Sequence, residues 1–366
     1  MREYLLVAVI AAVVTYVTTP AIRWLGMRFG AVTPVRQRDV HSVPIPRLGG
    51  VAMLLGFAAA VLVASKLPYL KGLTNGANHQ VVATLLGAAF ITVVGAIDDF
   101  RELDPVTKFA GQLIAAGIIA FGGVQLAALP TGDATTILPQ PILIVLTFVI
   151  VLGMTNAVNF ADGLDGLAAG FVAIAAVAFF AWAYQVAHLF PDSSGRVFTA
   201  SAFLAAATAG CCLGFLPHNF YPARLFMGDA GALLLGLLLS ASTISFTGNL
   251  PPNQVAQASA AFWVPVALPV AILALPVLDV ILAVKRRGPK FWKPDRSHLH
   301  HKMLDIGHSH RRAVLLLYLW SASLALGVLM FSYVKTGWAV SALVALIAIS
   351  ALLTLWLPRW RRAGSL

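Results

Sequence analysis

Charge is scarce in this sequence. Asp, Glu, Lys and Arg make up 11% of its 366 residues against 59% hydrophobic, and no polar stretch is long enough to fold alone. That excludes a soluble enzyme built from amphipathic helices. Cysteine is scarcer still: Cys211 and Cys212 are adjacent within an apolar run, which excludes a disulfide framework and marks both as small buried residues. A G-x-x-x-x-G-K-[ST] loop and a G-x-G-x-x-G turn after a strand are both missing, so a nucleotide, if bound, is not held by a P-loop or a Rossmann turn. The sequence shows no internal repeat and no Ser-His-Asp grouping.

What remains is a series of apolar runs, each near the span of about 20 residues that a bilayer requires. They lie near 4–25, 49–67, 81–97, 109–128, 141–158, 164–187, 199–216, 230–247, 262–284, 313–333 and 337–357. The pattern predicts an all-α polytopic integral membrane protein with about eleven transmembrane helices. It forms a single transmembrane domain over 1–366 with a cytoplasmic loop at 285–312. The first run is followed by "YVTTPAIRW" without an A-x-A-like cleavage site and is expected to stay as an anchor. With the N-terminus outside, 20 of the 25 lysines and arginines fall on inner loops, inner span ends and the tail, leaving Arg2, Lys66, Lys71, Arg196 and Lys335 outside. The positive-inside rule therefore predicts an outer N-terminus and a cytoplasmic C-terminus. The net charge of +11 is mostly this orientation signal, joined by attraction to anionic headgroups or an anionic substrate, and no nucleic-acid partner is expected.

In that topology the unusual polar clusters share the cytoplasmic side. They are "RQRDVHSVPIPRLGG", "IDDFRELDPVTK", "NAVNFADGLDGL", "GFLPHNFYPARLFMGDAG" and "KRRGPKFWKPDRSHLHHKMLDIGHSHRR". On a helix Asp162 and Asp165 would share a face, with Asn159 one turn earlier, and Asp229 opens the next span. A cap accounts for Asp98 next to Asp99, with "DPVTK" starting a helix, and a tight turn accounts for "DGLDG". Neither accounts for three acidic clusters on one membrane face, where ionisable groups are costly. A bound Mg²⁺, which prefers oxygen ligands, would offset that charge. His298, His300 and His301, with His308 and His310, fit a zinc site, a solvated loop, or a polar cradle for a phosphorylated substrate together with Arg296, Lys302, Arg311 and Arg312.

The motifs "GAIDDFRELDPVTKFAGQ", "NAVNFADGLDGLAAG", "LGFLPHNFYPARLFMGDAGALLLG" and "KPDRSHLHHKMLDIGHSHRR" resemble those of the polyprenyl-phosphate N-acetylhexosamine-1-phosphate transferases, in the expected order from about 5 to 357. The sequence is most similar to the bacterial GlcNAc-1-phosphate branch, especially its actinobacterial decaprenyl-phosphate form. The resemblance implies a multi-pass plasma-membrane enzyme with a cytoplasmic active site. It would join UDP-GlcNAc to decaprenyl or undecaprenyl phosphate, giving polyprenyl-diphosphate-GlcNAc and UMP with Mg²⁺, or Mn²⁺ in its place, as the first membrane step of cell-envelope polymer synthesis. It implies catalytic roles for Asp98, Asp99, Lys108, Asp162 and Asp165, and metal binding by Asn159 and Asp229. Phe226 would stack on uracil, and Arg47, Arg296, His298, His300 and His301 would bind substrate. A homodimer and inhibition by tunicamycin-type nucleosides are further expectations from the resemblance. The phospho-MurNAc-pentapeptide translocases share the aspartate motifs but typically carry three consecutive histidines where this chain has "SHLHH". A secondary transporter, with polar sites near the midplane of the bilayer, is the reading outside the family.

Overall fold

The computed structural model describes residues 1–33, 44–75, 79–126, 129–130, 135–136, 139–189, 199–247 and 307–363, with isolated positions between 267 and 303. Its described helices are α1 (Arg2–Phe29), α2 (Gly49–Ala64), α3 (Gly72–Asn75), α4 (Gln80–Arg101), α5 (Pro105–Phe121), α6 (Gln140–Ala161), α7 (Leu167–Leu189), α8 (Thr199–Asn219), α9 (Gly228–Thr247), α10 (His310–Met330) and α11 (Thr336–Ala363). Two short antiparallel ribbons, β1 (Val32–Thr33) with β2 (Ile45–Pro46) and β3 (Leu129–Pro130) with β4 (Thr135–Thr136), close loops between them.

Eight of these helices are long and apolar enough to cross a bilayer, and α2 and α5 are shorter apolar helices of 16 and 17 residues. At about 1.5 Å per residue the short pair reach roughly 25 Å, less than a hydrocarbon core of about 30 Å. The run expected at 109–128 is the clearest displacement. Its helix starts at Pro105, because Asp104 accepts from the backbone N–H groups of Val106 and Thr107 and Pro105 occupies the first turn. It stops at Phe121, because Gly122 ends it and Gly123 turns the chain at φ +96°. The run expected at 262–284 lies largely outside the described residues.

Helix α9 is the hub. Nearly all of its apolar length is buried, whereas α11 and much of α1 face outward with Leu6, Val9, Val13, Val17, Val344, Leu352 and Leu355 exposed, as lipid-facing surfaces require. Helices α2, α4, α6 and α8 surround α9 and press closely on it. Close approach rests on small residues, as in other membrane bundles, where packing rather than water exclusion joins helices. A Cβ placed on Gly95 of α4 would lie 2.5 Å from the Ala230 Cα, and one on Gly50 of α2 would run into the backbone between Ala230 and Gly231. Thus α2 and α4 clamp the first turn of α9 from two sides.

Gly95→Ala should therefore push the last turn of α4 away from α9. Overpacking of this kind costs about 1–3 kcal/mol. The expected result is a lower melting temperature in detergent together with a loss of activity larger than the destabilisation explains, since Asp98 and Asp99 ride on that turn.

Candidate active site

Helix ends meet on one side of the bundle, among them the C-terminal ends of α4, α6 and α8 and the N-terminal ends of α2, α5 and α9. Asp98 and Asp99 occupy the last turn of α4, which Glu102 closes in a left-handed conformation with its N–H donating to the Asp98 carbonyl. Asp98 is buried, 8% exposed, and its carboxylate is held by the Leu103 N–H at 2.6 Å and by Lys108 Nζ at 2.9 Å. The chain reverses between α4 and α5, and that brings Lys108 back over the pair. The same ammonium donates to Asp229 Oδ2 at 2.7 Å, bridging two aspartates 131 positions apart.

Asp99 points the other way, into the start of α9. Its two oxygens accept from the Asp229 N–H at 2.9 Å and the Ala230 N–H at 3.1 Å. These are orphan donors of a helix N-terminus, which also carries the positive end of the helix dipole. Asp99 is therefore a cap, but for a helix far away in sequence. Gly228 makes this possible: it takes φ +68°, and a Cβ there would collide with the Asp99 carboxylate. Asp229 is further held by Asn159 Nδ2, from the last turn of α6.

The helical face expected for Asn159, Asp162 and Asp165 does not form. Helix α6 ends at Ala161, Asp162 closes it, and Gly166 at φ +79° turns the chain into α7. Asp162 stays with the cluster. Burial, followed by the charges of Asp229 and Asp99, pushes its carboxyl up to about 8, with Arg47 opposing. Asp165, 5% exposed, turns away and accepts from the Ala223 N–H at 2.9 Å, so it fastens the segment after α8.

That segment carries Phe226. It lies alongside the residues before α2: Phe226 N–H donates to the Pro46 carbonyl at 2.9 Å, Gly49 N–H to the Phe226 carbonyl at 3.0 Å, and Gly50 N–H to the Met227 carbonyl at 3.0 Å. Arg47 and Phe226 thus sit paired on parallel backbone at the rim of the aspartate cluster. Asn219, buried at the end of α8, joins the two loops by accepting from the Gly166 N–H at 3.0 Å and donating to the Leu225 carbonyl at 3.0 Å. Tyr318 of α10 donates its hydroxyl to the Gly166 carbonyl. Gln112 of α5 and Asn156 of α6 share a hydrogen bond at 2.7 Å, one turn deeper than Lys108 and Asn159.

Sequence reasoning named Asp98, Asp99, Lys108, Asn159, Asp162, Asp229, Arg47 and Phe226, and the fold brings all eight to one place. It separates Asp165 from them. Asn219, Gln112, Asn156 and Tyr318 were missed, although a polar amide inside an apolar run is a usable signal for the first three. Arg296, His298, His300 and His301 lie outside the described residues.

The cluster gathers four carboxylates, one lysine and one amide at the end of a membrane bundle. Among the described residues no three His, Cys, Asp or Glu side chains are grouped so as to hold a metal ion by themselves. Lys108 offsets two of these carboxylates, and Asp229 and Asn159 are the side chains that would contribute oxygens to a divalent cation that keeps waters and phosphate oxygens in its shell. Such a site on such a fold defines a multi-pass membrane enzyme that handles an anionic, phosphorylated substrate. The chain belongs to glycosyl transferase family 4, whose family model matches residues 81–247, from α4 to the end of α9. It is 42% identical to the decaprenyl-phosphate N-acetylglucosaminephosphotransferase of Mycolicibacterium smegmatis, over 99% of this chain and 90% of the relative. It is 32% identical to the probable undecaprenyl-phosphate N-acetylglucosaminyl 1-phosphate transferase of Bacillus subtilis, over 87% and 83%. A phospho-N-acetylmuramoyl-pentapeptide-transferase of Desulforudis audaxviator is 32% identical over 90% and 97%.

Proposed function

We propose that the protein transfers GlcNAc-1-phosphate from UDP-GlcNAc to a membrane polyprenyl phosphate, decaprenyl or undecaprenyl, releasing UMP. The higher identity to the decaprenyl-phosphate enzyme, 42% against 32% for the muramoyl-pentapeptide transferase, favours this donor over UDP-MurNAc-pentapeptide. The observation that carries the chemistry is the Lys108 bridge between Asp98 and Asp229 at the membrane-bundle end where Asn159 and Asp162 also gather.

In the reaction a lipid phosphate oxygen forms a bond to the β-phosphorus of the nucleotide sugar, and the bond from that phosphorus to the bridging oxygen breaks, leaving UMP. Phosphoryl transfer depends chiefly on positioning and charge neutralisation. Lys108 supplies a fixed positive charge beside the reacting phosphates, and Arg47 and Phe226, on paired backbone, form the rim against which the nucleotide is held. A phosphate monoester has its second pKa near 6 and needs no base at neutral pH. Asp98 and Asp99 are already engaged by Lys108 and by the α9 backbone, which supports direct displacement with the pair as organisers. Asp229 and Asn159, with Asp162 nearby, would hold Mg²⁺, whose contribution is to neutralise the diphosphate charge. The outer N-terminus, the cytoplasmic site, the histidine loop as a further substrate contact, a homodimer and tunicamycin-type inhibition belong to the same reading.

The test is transfer of labelled sugar phosphate by purified protein to decaprenyl or undecaprenyl phosphate, with UDP-GlcNAc beside UDP-MurNAc-pentapeptide. Lipid product from UDP-GlcNAc alone, lost on chelation with EDTA and restored by Mg²⁺, is the expected result. Product from the muramoyl donor would move the chain to the other branch. No product from either, with folded protein and lipid present, would sink the transferase reading.

A further inference from the structure

Two of the prolines that lie inside helices leave a carbonyl without its usual donor. In an α-helix the carbonyl of residue i accepts from the N–H of residue i+4, and proline has no N–H. Pro20 in α1 therefore deprives Tyr16, and Pro358 in α11 deprives Thr354. A histidine from elsewhere in the chain fills each gap. His218 Nε2 lies 3.2 Å from the Tyr16 carbonyl oxygen, with the Tyr16 ring against the imidazole at 4.7 Å between centroids. His308 Nε2 lies 2.9 Å from the Thr354 carbonyl oxygen. A carbonyl only accepts, so Nε2 carries the hydrogen in both contacts.

Both histidines stand where a site-bearing segment leaves the bundle. His218 is the penultimate residue of α8. The next residue, Asn219, ties the Gly166 turn to Leu225, and the His218 carbonyl accepts from the Arg224 N–H at 2.8 Å. His308 is buried just ahead of α10, the helix whose Arg311 donates to the Tyr221 carbonyl at 2.9 Å and whose Tyr318 donates to the Gly166 carbonyl. One histidine thus mounts the Phe226 segment on α1, and the other mounts the start of α10 on α11.

We propose that His218 and His308 are positioning residues, each seated in a carbonyl gap made by a proline, that fix the Phe226 segment and the α10 entrance relative to the outer helices. Neither touches the reacting atoms. The role is specific because the donor and the gap must match: an amide hydrogen restored to the helix makes its own histidine dispensable, and no other.

The activity arm rests on the transferase reading, so the experiment pairs it with a measurement that does not. Full-length protein in lipid nanodiscs is compared as wild type, His218→Ala, His308→Ala, the two His→Gln variants, and each His→Ala combined with Pro20→Ala or Pro358→Ala. Each alanine variant is expected to melt a few degrees lower, roughly the shift a single lost interaction gives in a chain of this size. His218→Ala should also raise the KM for UDP-GlcNAc several-fold with a smaller change in kcat. Glutamine, which keeps a side-chain N–H, should recover part of both. Pro20→Ala should rescue His218→Ala but not His308→Ala, and Pro358→Ala the reverse. Rescue by either proline variant without regard to partner, no rescue, or alanine variants indistinguishable from wild type would overturn the proposal. A fall in melting temperature with KM unmoved would reduce the histidines to props and overturn the positioning role. Should an alanine variant fail to fold, the matched double variant and the glutamine variant carry the comparison. A wild type that melts as expected but transfers nothing faults the transferase reading, and the crossed melting pattern still decides the anchors.

Discussion

Lys108→Met is expected to reduce turnover by at least ~100-fold, the scale on which removing one positioned charge or donor from a transition state acts. The reason is visible in what the substitution leaves behind. Lys108 sits 2.9 Å from Asp98 and 2.7 Å from Asp229, with a fifth of its side chain exposed. Without it the two carboxylates face each other and Asp162 across a low-dielectric site. Breaking one side of a buried pair costs about 3–5 kcal/mol, and partial exposure places this site toward the lower end. Melting should therefore fall along with kcat. Lys108→Arg is not a safe substitute, because a planar fork cannot reproduce a point charge shared between two acids. Adding Asp98→Asn to Lys108→Met should recover stability by removing one unpaired charge, yet leave turnover low. If Lys108→Met keeps wild-type kcat, the reading of this site as charge-neutralising machinery is wrong.

Asp99→Ala is expected to be nearly as damaging, by a different route. Its carboxylate satisfies two N–H groups in the first turn of α9, those of Asp229 and Ala230. Losing a cap costs about 0.5–2 kcal/mol, with more when the freed donors stay buried. Because α9 is the hub of the bundle and Asp229 stands on its first turn, the loss displaces a metal-binding candidate directly. Asp99→Asn keeps one acceptor and should retain intermediate stability. Asp98→Asn loses charge toward Lys108 but keeps an oxygen to accept from the Leu103 N–H, and caps no helix start, so it should leave the melting temperature closer to wild type while lowering turnover. Measuring melting temperature and kcat for the three variants separates cap from charge. Equal effects of Asp98→Asn and Asp99→Asn on both quantities would show that the two aspartates do not divide the work in this way.

Much of the site was legible in the sequence for one physical reason: ionisable groups are costly at the edge of a membrane span, so those that remain stand out against an apolar background. Asp98, Asp99, Asp162 and Asp229 announced themselves in that way, and Lys108 lay in the same motif. Asp165 did not separate from its neighbour, because "DGLDG" reads equally as a helical face or a turn. Gly166 decides between them only through a conformation that the turn demands. Asn219 was passed over although it ends an apolar run, since one amide among aspartates carries little weight until its two partners are known.

By itself the sequence determined the class: a chain with little charge and repeated apolar runs has to be a helical membrane protein, and its few acids have to gather where a cation or a substrate compensates them. It also marked the helix start at Asp104 and Pro105, because a cap is local chemistry, whereas the stop at Gly122 fell inside a run expected to continue to 128. Which acid does what was decided only by the tertiary structure. Asp99 caps a helix that begins 129 positions later, Lys108 joins partners from two helices, and His218 and His308 answer prolines in helices far along the chain. Such pairings depend on which helix packs beside which, and in a bundle held by small residues and shape, residue spacing along the chain carries no record of that.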